Sequence, residues 1–131
     1  MNLENFERVK AAILANPQSF HMSWFAAEDE RFPCGTVGCI AGFCDWLMAV
    51  DGERGTAFRA DGSLKRELSS NDPVKNRGRR FLGITHEQAE LLFYADKWPR
   101  QFYSRHVTTF NWQRRAELTV ERIDHFLATG E

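Results

Sequence analysis

The run Thr36-Val37-Gly38-Cys39-Ile40-Ala41-Gly42-Phe43-Cys44-Asp45-Trp46-Leu47-Met48-Ala49-Val50-Asp51-Gly52 carries the strongest structural signal in the chain. Thr36 is placed to cap a helix running to about Val50, in which Ile40, Phe43, Cys44, Leu47 and Met48 form an apolar stripe and Asp51-Gly52 breaks it. The helix is nearly apolar all round, so it belongs at the centre of a domain. Gly38 and Gly42 each cost roughly 1 kcal/mol relative to Ala in a helix interior, and their spacing puts both on one face. Close approach of another backbone or of an aromatic ring is the expected return.

Working outward, Leu3, Phe6, Val9 and Ile13 recur at steps of three and four before Asn16-Pro17, which predicts a first amphipathic helix from Asn2 to Asn16. Phe20, Met22 and Trp24 alternate with polar residues and suit a short strand. Residues 53 to 72 carry little pattern, and Ala60-Asp61-Gly62-Ser63 reads as a turn in a hairpin or an exposed loop. Asp72-Pro73 starts a helix that ends at Gly83, and Thr85 with Gln88 has capping-box spacing for the next, carrying Ala89, Leu92 and Phe93. Pro99 to Tyr103 adds a short helical turn, and a last helix runs from Asn111 to Ala128. The fold expected is mainly α: one compact domain over residues 1–131, a bundle of about five helices with room for a short strand or hairpin.

Composition agrees. A chain of 131 residues that is 43% hydrophobic, with eleven Phe and four Trp, has enough apolar surface for one core and is no disordered tail. The formal charge of -1 lacks the global positive field of an electrostatically driven nucleic-acid binder. No stretch approaches the roughly 20 apolar residues of a membrane span, and the start MNLENFERVK has no signal-peptide pattern. A soluble cytoplasmic protein with no membrane partner is expected. Cys34, Cys39 and Cys44 crowd one segment, unlike a distributed disulfide framework.

The segment Cys34-Gly35-Thr36-Val37-Gly38-Cys39-Ile40-Ala41-Gly42 resembles a domain found in small bacterial and phage proteins, as do Phe81-Leu82-Gly83-Ile84, Leu92-Phe93, Trp98-Pro99 and the ending Arg122 to Gly130. Together these pieces span about residues 20 to 130. The resemblance implies a small, helical, often phage-associated protein. It supplies no activity and no catalytic residues.

Four constellations bear chemistry. Cys39 in the first turn of a capped helix would meet free amides and the helix dipole, which favour a thiolate, with Cys34 as a resolving thiol and His21, His86, His106 or His125 as an unassigned base. The competing reading makes Cys39 a small buried side chain, as free Cys usually is. A zinc site is disfavoured, because thiols five apart on a helix diverge by about 140° and no Cys-x-x-Cys knuckle occurs. Lys75, Arg77, Arg79 and Arg80 form a basic cluster in a segment, 46 to 80, with eight basic and five acidic residues, while 1 to 45 has three basic and six acidic. That cluster suits a phosphate-binding face or an ordinary solvated one. Trp98, Phe102, Tyr103, Phe110 and Trp112 crowd one region with Lys97, Arg100 and Arg105, and large rings with Arg are the usual anchors of protein interfaces. Most should fill core, yet at least one should reach the surface.

No Walker loop, dinucleotide fingerprint or nucleophile elbow is present, so no cofactor is expected, and no metal. The expected role is binding of a protein partner, or of a second copy of the chain, without catalysis. The interface is placed on Trp98, Arg100, Phe102, Tyr103, Arg105 and Trp112. A thiol-dependent enzyme using Cys39 and Cys34 is the alternative, and weak nucleic-acid binding by Lys75, Arg77, Arg79 and Arg80 ranks third.

Overall fold

The computed structural model describes residues 1–15, 17, 40–61 and 72–131. Among them lie six α-helices and no strand: α1 Leu3–Ala15, α2 Gly42–Val50, α3 Asp72–Leu82, α4 His86–Phe93, α5 Arg100–Thr108 and α6 Trp112–Thr129. A single 3₁₀ turn, Ala95–Lys97, separates α4 from α5. The expected strand around Phe20 to Trp24, the Thr36 cap and Gly38 lie outside the described residues.

α2 is central as its composition requires. Gly42, Phe43, Cys44, Asp45, Leu47 and Met48 are all buried, and the helix packs most extensively on α3 and also on α1. α1 contributes Phe6, Val9 and Ile13 and lies along α6, where the Phe6 and Phe126 rings stand 6.0 Å apart. The close approach falls at Gly78 of α3, where an added Cβ would stand 3.3 Å from the Ala41 Cα and 3.3 Å from Phe93 Cζ. Gly78 thus lets α3 come close to the N-terminal end of α2.

Helix ends follow their local chemistry. Thr85 accepts from the Gln88 amide and Gln88 returns a bond to the Thr85 amide, the capping box expected for α4. Gly83 takes φ +66° between α3 and α4, and a Cβ there would stand 3.1 Å from the Asn2 nitrogen. That nitrogen donates to the Leu82 carbonyl at 2.8 Å, so the chain start is tied to the end of α3.

One feature departs from the sequence expectation. The short turn expected at Pro99 to Tyr103 is a nine-residue helix, α5, which makes six helices in place of about five. Its inward face uses Phe102 and His106, a half-polar pair at i, i+4 that an apolar periodicity does not register. The loop after α2 is described over 53–61, without a strand there, and the remainder of the expected hairpin or exposed loop lies outside the described residues. Its described part is pinned by Asp45, wholly buried on α2, which accepts from the amides of Ala57 (2.9 Å) and Phe58 (3.0 Å) and pairs with Arg77 of α3.

Candidate functional site: the corner of α5 and α6

α5 has two opposed faces. Phe102 and His106 point inward, while Arg100, Tyr103 and Val107, spaced three and four apart, share the outer face. The chain then turns through Thr109, Phe110 and Asn111, whose side chain accepts from the Arg114 amide and caps α6. Phe110 belongs to neither helix, so no periodicity turns it inward, and it is 81% exposed. Tyr103 (41%) and Val107 (47%) are exposed as well.

Below this surface the corner is built from cations. Arg115 donates to the carbonyls of Thr109 and His106 and so fills acceptors that the C-terminus of α5 leaves open. Arg122 is wholly buried, with its guanidinium carbon 5.9 Å from the Trp98 ring centre and 5.8 Å from that of Phe102. It gives one bond to the Leu91 carbonyl at 3.1 Å, while its Nε and Nη1 have no hydrogen-bond partner. Ring faces stand where a carboxylate would be expected. Burial lowers the Arg122 pKa to about 10, so the group stays charged at neutral pH.

The six residues assigned to the interface from sequence divide between core and surface. Trp98 and Phe102 are core: the Trp98 indole donates to the Leu92 carbonyl at 2.8 Å and meets His106 edge-on at 5.3 Å, while Phe102 lies 5.1 Å from His125. Neither ring faces a partner, because both are taken up by contact with Arg122. Arg100 and Tyr103 are exposed. Arg105 is exposed but bonded to Glu121 at 2.7 Å, and Trp112 is half-buried, 5.9 Å from the Arg115 guanidinium. Val107 and Arg114, which the sequence reading did not single out, are exposed too, and Val107 sits one helical turn after Tyr103.

The basic cluster of α3 is largely engaged within the fold. Lys75 is buried and paired with Glu90, Arg77 with Asp45, and Arg79 reaches the Ile84 carbonyl at 3.4 Å. Of the four only Arg80 is fully exposed. Two of the four cations named for a phosphate-binding face, Lys75 and Arg77, are thus held by carboxylates of α4 and α2.

Cys34, Cys39 and His21 lie outside the described residues. Cys44 is buried, and desolvation together with the neighbouring Asp45 charge pushes its thiol pKa up, away from a nucleophile. An open groove of about 320 Å³ between the ends of α1, α2 and α3 is lined by Asn5, Asp51, Glu53 and Arg80 among others. Its Asp51 carboxylate is held by Arg8 at 2.8 and 2.9 Å. Among the described residues no group of three His, Cys, Asp or Glu side chains is placed to hold a metal ion, and no helix is long and apolar enough to cross a membrane. Fold and surface together define a mainly helical domain with an exposed aromatic corner among the described residues. No protein-family model, curated protein or solved structure matches the chain.

Proposed function

We propose that this is a small accessory protein, bacterial or phage in setting and working in the cytoplasm, that binds another protein through the α5–α6 corner without catalysis. The observation that supports this reading is Phe110, 81% exposed in the turn that follows α5, a helix on which Tyr103 and Val107 are exposed as well. Every other described Phe or Trp ring is buried or half-buried. A ring in water contributes little to the fold, whereas covering it gains roughly 25 cal/mol for each Å² of apolar area taken out of solvent.

The test compares beads carrying the wild-type chain, Phe110→Ser and Val50→Ser in a bacterial lysate, with retained proteins quantified by mass spectrometry. Val50 is also exposed but lies at the end of α2, away from the corner in sequence and element. Proteins held by wild type and Val50→Ser but lost with Phe110→Ser are expected. Both variants should melt close to wild type, since surface changes usually stay within about 0.5 kcal/mol. Identical retained sets for all three would sink the reading.

A further inference from the structure

The corner has an apolar surface and an electrostatic bias, and the two together specify a partner. From Lys97 to Arg115 the chain carries five basic residues and no acidic one. Arg100 shares the outer face of α5 with Tyr103 and Val107, and Arg114 stands in the first turn of α6. That turn is where the helix dipole favours acidic side chains, and it contains none. Among the described residues neither Arg100 nor Arg114 is ion-paired. Arg122 adds a buried positive charge that forms no ion pair among the described residues, and interior charge is screened far less by salt than surface charge.

We propose that the α5–α6 corner docks an acidic, apolar-bearing segment of a partner protein, with Tyr103, Val107 and Phe110 covering its apolar side chains and Arg100 and Arg114 meeting its carboxylates. The inference rests on the reading of this corner as a protein-binding surface and adds the chemistry of the occupant. Complementary charge steers encounter and rejects wrong partners, while the rings supply contact area. A nucleic acid fits less well. Val107, between Tyr103 and Phe110 in the sequence, offers no face for stacking bases, and the exposed carboxylates of Asp96 and Glu117 flank the basic stretch and oppose a phosphate backbone.

The experiment is a selection of displayed random 12-residue peptides on the immobilised full chain. Enriched peptides are then synthesised and titrated by fluorescence anisotropy against wild type, Phe110→Ser and the double variant Arg100→Glu/Arg114→Glu. Thermal melts first establish that each variant is folded. The expected peptides are net negative and carry aromatic or aliphatic residues. Their affinity should fall at least tenfold in both variants and weaken as salt rises from 50 to 500 mM. Enriched peptides that are neutral or basic yet lost with Phe110→Ser overturn the acidic partner while leaving the corner as a binding surface. Peptides indifferent to both variants place the interface elsewhere and overturn both readings. The inference also fails if no peptide is enriched, if a fluorescein-labelled 20-nucleotide DNA binds the corner in preference, or if sedimentation shows that a second copy of the chain occupies it.

Discussion

At the residue scale the fold turns on buried polar groups that sequence patterns do not expose. Asp45 looks like a blemish in an apolar helix, yet its carboxylate accepts two loop amides and pairs with Arg77. Nothing in the sequence links position 45 to position 77, so only tertiary structure shows the connection. His106 is similar, a polar residue that serves as an inward-facing core position of α5. Its burial lowers its pKa below the ordinary value of 6.5, so the folded protein prefers the neutral ring. Above that pH both folded and unfolded forms are neutral and the full contribution to stability is present. As pH falls below about 6.5 the unfolded chain takes up a proton that the folded one resists, and stability declines by up to about 1.4 kcal/mol per unit for this group. His106→Phe retains an aromatic edge against Trp98 and cannot titrate, so urea unfolding between pH 7 and pH 5 should show a shallower decline for the variant. Equal slopes would mean that His106 is not buried in its neutral form.

At the element scale, strongly periodic and well-capped helices were legible and polar-faced ones were not. α1 and α4 announce themselves through Phe6, Val9 and Ile13 and through the Thr85–Gln88 box. α5 does not, since only Phe102 and His106 face inward and its end is fixed by Arg115, which donates from the next helix. For the same reason the sequence marks out the proposed site only as a region. Ring content points to the stretch between Trp98 and Arg115, but only packing separates Trp98 and Phe102, which cradle Arg122, from Phe110, which touches solvent. Close helix contact also occurs at a glycine that the sequence reading did not single out, Gly78, which meets Ala41. An ordinary helical Gly→Ala change gains roughly 1 kcal/mol from propensity. At Gly78 that gain is opposed by contacts of 3.3 Å to a backbone atom and to the Phe93 ring, so Gly78→Ala should be near neutral. Gly78→Leu must push α3 from α2 and should lower stability by about 2 kcal/mol. Urea denaturation midpoints measure both, and a leucine variant as stable as wild type would contradict the contact.

At the scale of the whole molecule, ion pairs among the described residues join charges far apart in the sequence. The acidic first third and the basic segment from 46 to 80 suggest a polarised protein. Within the described residues, ion pairs clasp different elements: Arg77 to Asp45, Lys75 to Glu90, Arg8 to Asp51, Lys10 to Asp124 and Arg105 to Glu121. The exposed pairs among these each contribute little, within about 1 kcal/mol, and their larger consequence is to cancel the local fields. α3 therefore offers a polyanion essentially one free cation, Arg80, because Lys75 and Arg77 are committed to carboxylates and Arg79 is half-buried. Each phosphate neutralised contributes about -0.9 to the slope of log affinity against log salt. Arg80→Glu should accordingly change that slope for a duplex DNA probe by no more than about one. Affinity of the wild-type chain at 150 mM salt should fall in the range of about 10⁻⁴ to 10⁻⁶ M typical of non-specific contact. Arg77→Ala should act differently, lowering the melting temperature by stranding the buried Asp45 carboxylate. Sub-micromolar DNA binding that falls steeply with salt and disappears in Arg80→Glu would show that α3 presents a phosphate-binding face despite its internal pairs.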